Sequence, residues 1–226
     1  MGVGKLYIVA GPIGNMGDIS FRALETLKTV DLILSEDTRE TDKLLKQYSI
    51  QKSQISYRDQ IHEQILPRIL ETFRSGHSVA LISDSGTPLI SDPGFKLVKG
   101  LKDANIEVVP VPGPSAAIAA LSASGLPSDK FIFLGFLQKT KNHRITTLKK
   151  YGVLDVTLTI YESPYRVKRL LLEIFEALGD RKVCLAKDLT KMHENISTDY
   201  VSNLLKNADT IKEKGEYVVL IAKEGF

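Results

Sequence analysis

Short apolar runs recur along the chain, and most end in glycine, proline or small polar residues. LYIVA leads into Gly11-Pro12-Ile13-Gly14-Asn15, DLILS into Glu36-Asp37-Thr38-Arg39, and VALIS into Asp84-Ser85-Gly86-Thr87-Pro88. EVVPV leads into Pro112-Gly113-Pro114-Ser115. The segments between these runs carry apolar residues at helical spacing. One helix is predicted over 20–29, capped by Asp18 or Ser20, with Phe21, Leu24, Leu27 and Lys28 at that spacing. A second is predicted over 38–48, with Leu44, Leu45 and Tyr48 as its buried stripe, and a third over 60–75. Asp92-Pro93 reads as an N-cap and first helical residue before FKLVKGL, and Gly113-Pro114 opens a helix rich in Ala and Ser. Strand–helix alternation of this kind predicts an α/β fold with a parallel, doubly wound sheet. The carboxyl ends of its strands share one edge, where ligands bind. Four tight-turning loops at that edge argue for one small-molecule site.

The pattern changes in the second half. LPSDK at 126–130 reads as a hinge. Beyond it come a strand in FIFLGF, a polar helix, a strand in TLTIYE, a helix over 165–178, a strand in KVCLA, a helix near 199–207 and a strand in YVVLIA. This predicts two domains: residues 1–125, an α/β domain carrying the ligand loops, and residues 126–226, a mixed α/β domain closing the cleft.

Bulk properties narrow the class. The chain has 226 residues, 43% hydrophobic and 25% charged, as in ordinary globular proteins. No apolar run approaches the roughly 20 residues needed to cross a bilayer, so no membrane association is expected. The single cysteine, Cys184, sits in KVCLA as a small buried hydrophobe, and a reducing, cytoplasmic setting fits. The formal net charge of +3 permits a nucleic-acid partner without requiring one.

The loop from Gly11 to Gly17 is neither a phosphate-binding P-loop nor a dinucleotide fingerprint, and Pro12 removes a backbone donor. No His or Cys grouping suggests a metal. Glu36, Asp37 and Arg39 place two carboxylates and a guanidinium at a strand end. Asp37 either caps the next helix with Arg39 paired to it, or Arg39 holds a phosphate or carboxylate. Ser163-Pro164 reads as an N-cap and first helical residue, which leaves Glu162 before it unexplained. The densest positive segment runs from Lys139 through Lys141 and Arg144 to Lys150. It is either a solvated helix face or an arm contacting RNA phosphates.

The blocks GPIGNMGDIS, SEDTRET, LISDSGTPLISDPG, VPGPSAAIAALSASGLP, GFL, YESPYR and KDLTK, taken in order, resemble the tetrapyrrole methylase superfamily. Within it they are similar to bacterial methyltransferases of small-subunit (16S) ribosomal RNA that modify a cytidine 2′-hydroxyl. The resemblance implies a two-domain homodimer that binds S-adenosylmethionine (SAM) between its domains. It places Pro12 in the first cofactor loop and Asp84, Gly86, Thr87 and Ile90 in the next. Ser115 and Ala116 follow after the fourth strand of the cofactor edge, and Tyr161 and Lys187 come from the second domain. The chemistry needs a base for a ribose hydroxyl, for which Glu36, Asp37 and Glu162 are candidates, with Lys187 or Arg39 to hold an adjoining phosphate. Lys139, Lys141 and Arg144 would contact the RNA, naked or in the assembled 30S subunit. The alternatives are methylation of a tetrapyrrole and a catalytically silent SAM-binding assembly factor. The chain departs from the family pattern with Gly11 for Thr, Gln138 for Pro, Lys187-Asp188 for Arg-Glu, and Tyr165 where His is common.

Overall fold

The structure, a computed structural model, describes residues 4–226. The chain forms two compact units, the first ending at Ser115 and the second beginning at Ala116.

The first unit alternates strand and helix: β1 (Leu6–Val9), α1 (Phe21–Thr29), β2 (Leu32–Ser35), α2 (Thr38–Gln47), β3 (Gln54–Ser56), α3 (His62–Arg74), β4 (Val79–Ile82), α4 (Phe95–Asp103) and β5 (Val108–Val111). The strands form one sheet in the order β3-β2-β4-β1-β5, and every pairing is parallel. The central strand β4, VALI, is buried at every position, as a sheet covered on both faces requires. Its side chains alternate between two cores. Ala80 and Ile82 pack with Ala23 and Leu27 of α1 and Leu44 and Leu45 of α2. Val79 and Leu81 pack with Ile69 and Phe73 of α3 and Leu97 and Leu101 of α4. Each fully buried Leu, Ile or Phe here contributes about 1.5–3 kcal/mol. The chain therefore leaves β1 and β2 toward one face and β4 toward the other. Such a reversal opens a crevice outside the carboxyl ends of the strands.

Ser20 caps α1 by accepting a hydrogen bond from the Ala23 N–H at 3.1 Å. The start of α4 corrects the sequence reading. The helix begins at Phe95, after Gly94, not at Asp92-Pro93. Gly94 has φ 130°, its N–H donates to Asp59 Oδ1 at 3.1 Å, and a Cβ there would lie 2.8 Å from Leu81. That tertiary bond, made in a backbone conformation that favours glycine, outweighs the local start signal, and Asp92 instead bonds to Ser83 near Glu36 and Asp84.

The second unit contains α5 (Ala116–Ala123), β6 (Phe131–Phe136), α6 (Lys141–Gly152), β7 (Thr157–Glu162), α7 (Val167–Leu178), β8 (Lys182–Lys187), β9 (Asn195–Tyr200), α8 (Val201–Lys206) and β10 (Tyr217–Ile221). The sheet order is β6-β7-β10-β8-β9; β6 and β7 run parallel and the other neighbours antiparallel. Helices α6, α7 and α8 cover one core, while α5 packs on β7 and β10. The sequence predicts a division after residue 125. The division falls instead ahead of α5, because that helix packs on the second sheet. LPSDK lies inside the second unit, where Thr157 donates to the carbonyls of Pro127 and Lys130. Ser163-Pro164 forms a turn, closed by the Arg166 N–H on the Ser163 carbonyl at 2.9 Å, and α7 starts only at Val167.

Candidate functional site

In the first unit the loops after β1, β4 and β5 are bonded into one surface. The Gly11 N–H donates to the Gly86 carbonyl at 2.8 Å, and the Gly86 N–H donates to the Pro12 carbonyl at 3.2 Å. The Thr87 hydroxyl donates to the Pro114 carbonyl at 3.1 Å, just before Ser115. Gly86 has φ +73°, and a Cβ on it would meet Ile13 at 3.3 Å and the Pro114 carbonyl at 3.6 Å. Leu89 and Ser91, with φ 72° and 67°, hold the left-handed region at a cost of about 1–3 kcal/mol each. That cost is tolerated where the surrounding structure fixes the loop. Pro12, Gly86 and Thr87 therefore come together, and Ile90 lies exposed on the same loop.

Carboxylates gather at the ends of β2 and β4. The Glu36 N–H donates to the Ile82 carbonyl at 3.3 Å, the Asp84 N–H to the Glu36 carboxylate at 3.5 Å, and the Asp37 N–H to Asp84 Oδ1 at 2.9 Å. Burial, and then the Asp84 charge, push the Glu36 carboxyl above the usual carboxylate range. Burial also raises Asp84. Asp92 is pushed up to about 6 by burial, with Glu36 and Asp84 adding to the rise. The local sequence points Asp92 to a helix cap, and only the pairing of distant strands brings it to this group.

Asp37 and Arg39 occupy each other. Asp37 caps α2 by accepting from the Arg39 N–H at 2.9 Å, and the guanidinium binds the same carboxylate at 3.0 and 2.5 Å. The guanidinium bond holds Asp37 well below the usual carboxylate range. The capping alternative thus describes this pair, and of the candidates Glu36 and Asp37 it is Glu36 that has a raised proton affinity.

In the second unit Tyr217 pairs with Glu162 on one side and Lys187 on the other, so these two candidate positions share one row of the sheet. The Tyr161 hydroxyl accepts from the Ala117 N–H in the first turn of α5 at 3.2 Å. Its ring meets Phe133 and Phe136 edge-on, with centroids 4.8 and 5.7 Å away. Glu162 is only 2% exposed. Its Oε1 accepts from Arg166 at 2.7 Å and from the Ser163 N–H at 2.8 Å. This locates the partner that the sequence left open, and it places the carboxylate inside the unit rather than on its surface. Lys187 is paired with the neighbouring Asp188. Asp188 also accepts from the Glu216 N–H at 3.1 Å, which ties the end of β8 to the start of β10.

The basic segment separates into unlike residues. Lys139 and Lys141 are exposed, and Lys141 pairs with Glu176 at 2.7 Å. Arg144 is a correction: it is 2% exposed, forked onto Glu173, and cannot reach an RNA phosphate. Among the described residues no cluster of His, Cys, Asp or Glu side chains has the makings of a metal site.

The donor set suits SAM. The acidic group of Glu36, Asp84 and Asp92 complements a ligand with ammonium and sulfonium charges, and the fixed backbone of the Gly11 and Gly86 loops suits close approach by a small molecule. A Cβ at Gly86 would fill part of that surface.

The family model for tetrapyrrole (corrin/porphyrin) methylases matches residues 5–211. The chain is 46% identical over 220 residues to the ribosomal RNA small subunit methyltransferase I of Mesorhizobium japonicum, covering 96% of this chain and 74% of that one. It is 43% identical to the protein of the same name from Thermotoga maritima, covering 97% of this chain and 99% of that one. Among solved structures, uroporphyrin-III C-methyl transferase from Thermus thermophilus, complexed with S-adenyl homocysteine, superposes with a TM-score of 0.67 at 18% identity, covering 98% of both chains. The ordered motif blocks, the two sheets and these matches agree: the chain belongs to the tetrapyrrole methylase family.

Proposed function

We propose that this protein is a SAM-dependent methyltransferase that methylates the ribose 2′-hydroxyl of a cytidine in small-subunit ribosomal RNA. The observation that carries this reading is 46% identity, along 96% of the chain, to a relative named for small-subunit ribosomal RNA methylation. SAM supplies an activated methyl group on a sulfonium, so positioning does much of the catalytic work. The chain must hold the cofactor, place the ribose hydroxyl and take its proton. Pro12, Asp84, Gly86, Thr87, Ile90 and Ser115 in the first unit, with Ala116, Tyr161 and Lys187 in the second, are the proposed cofactor contacts. Glu36 is the proposed base. Its raised proton affinity suits general-base chemistry better than that of Asp37, which is committed to Arg39 and a helix cap. Glu162 is proposed to hold the turn after β7 through its bonds to Arg166 and the Ser163 N–H. Lys139 and Lys141 remain proposed RNA contacts. The protein is proposed to act in the cytoplasm as a homodimer; among the described residues no helix is long and apolar enough to cross a membrane.

The test is to incubate the protein with tritiated SAM and, in parallel, undermethylated 30S subunits, naked 16S RNA and uroporphyrinogen. Label in ribosomal RNA, mapped to a 2′-O-methylcytidine, supports the reading. Label only in the tetrapyrrole, or cofactor binding without any transfer, overturns it.

A further inference from the structure

A groove of about 920 Å³ lies on the second unit beside the carboxyl end of β8. The turn between β8 and β9 forms one wall, and the stretch 207–215 ahead of β10 forms the other. Leu185, Leu204, Ile211 and Tyr217 give it an apolar floor. Lys187, Lys191, Lys212 and Lys214 line its rim, with His193 beside them. Asp188 is its one acidic lining residue, and that carboxylate is engaged by Lys187 and the Glu216 N–H. Lys191 is paired with Glu216 at 2.6 Å. Lys212 and Lys214 are exposed and form no ion pair among the described residues. The groove therefore carries uncompensated positive charge above an apolar base, with Asn207 and Thr210 at its edge as uncharged hydrogen-bonding groups.

These properties select a ligand. Two unpaired lysines on one rim attract an anion with more than one charge. The volume is at the upper end for a small-molecule pocket and far exceeds a lone phosphate. The apolar floor favours flat, weakly hydrated faces. A nucleic-acid duplex hides those faces in its stack, whereas a single strand presents them beside its phosphates. We propose that this groove binds a single-stranded segment of the RNA substrate, with phosphates on Lys212 and Lys214 and a base against the floor. The proposal rests on the reading of the protein as an RNA methyltransferase and adds a substrate site apart from the Lys139 segment, sharing only Lys187 with the proposed cofactor contacts.

The test compares wild type with the double variant Lys212→Ala/Lys214→Ala. Binding of a labelled oligouridine of about 12 nucleotides is followed by fluorescence anisotropy across a salt series. Two lost phosphate contacts should lower the slope of log affinity against log salt by about 1.4, so that the variant loses about sevenfold less affinity than wild type between 50 and 200 mM salt. Its affinity at low salt should be correspondingly weaker, and its KM for 30S subunits should rise while kcat holds. S-adenosylhomocysteine binding, read by calorimetry, and thermal stability should not change, because both side chains are exposed. Unchanged RNA affinity and slope, with subunits still methylated at the wild-type KM, overturns the groove while the methyltransferase reading stands. Wild-type protein that neither binds the oligonucleotide nor methylates subunits overturns both. A wild-type dimer that the double variant turns into a monomer in light scattering would make the groove a self-interface and also overturn the proposal.

Discussion

Arg144 on α6 and Glu173 on α7 meet fork to fork inside the second unit, with Nε to Oε2 at 2.6 Å and Nη2 to Oε1 at 2.5 Å. The remaining nitrogen, Nη1, donates to the carbonyls of Gln138 at 3.2 Å and Lys139 at 2.5 Å. One guanidinium thus joins two helices to the loop that follows β6. Both residues are 2% exposed, so removing either leaves a buried charge without its partner. Arg144→Ala should lower unfolding free energy by about 3–5 kcal/mol in urea titration. Arg144→Lys should recover only part, because an ammonium cannot reproduce the fork. A loss below about 1 kcal/mol for Arg144→Ala would contradict the pair's structural role. A test of the basic segment for RNA binding therefore needs Lys139 and Lys141 alone.

Gly86→Ala tests the joined loops of the first unit. The substitution places a Cβ 3.3 Å from Ile13 at a residue whose φ is +73°. Strain of about 1–2 kcal/mol should appear in the loop, where Gly86 bonds to Gly11 and Pro12. Affinity for S-adenosylhomocysteine, measured by calorimetry, should fall about tenfold or more while global stability drops by no more than that strain. Unchanged affinity would remove Gly86 from the proposed cofactor surface.

Much of this arrangement was legible in the sequence where its causes are local. VALI is apolar throughout and is fully buried, and Ser20 caps the helix that its position predicts. What escaped depends on partners far along the chain. Arg144 reads as one more charge in a basic run, and its burial follows from Glu173 on the next helix. β9 has the sequence NISTDY and sits at a sheet edge with only Ile196 and Ser197 partly buried, so it carries almost no apolar alternation. The grouping of Glu36, Asp84 and Asp92 arises because β2 pairs with β4, a neighbour that chain order does not supply.

Asp92 gives a stability prediction. Burial, with smaller contributions from Glu36 and Asp84, raises its pKa in the folded state to about 6, from an ordinary value of 3.8. The folded state therefore binds this proton more tightly than the unfolded chain does, and folding stability from this group falls as pH rises between about 4 and 6. At neutral pH the charged carboxylate is unfavourable by about 3 kcal/mol. Asp92→Asn should stabilise the protein at pH 7 by that order, with the gain shrinking toward zero below about pH 4. Urea unfolding at both pH values measures it. A gain that does not change with pH would assign the effect to something other than this titration.

Glu36 is the sharpest test of the chemistry. A base acts in its deprotonated form, so kcat/KM should fall on the acid side as Glu36 takes up its proton. Burial and the Asp84 charge hold that pKa above the ordinary carboxylate value, which moves the acid limb toward neutral pH. Asp84→Asn removes the negative neighbour, so the Glu36 pKa should drop and the limb should shift to lower pH. Glu36→Gln should lower kcat by about 10²–10⁴-fold while S-adenosylhomocysteine still binds. The two substitutions separate two roles for the same residue. If Glu36 only braces the strand ends through its bond to the Asp84 N–H, Glu36→Gln should change stability and leave the pH profile where it was. If it takes the ribose proton, the acid limb should disappear with the carboxylate and move when Asp84 is neutralised.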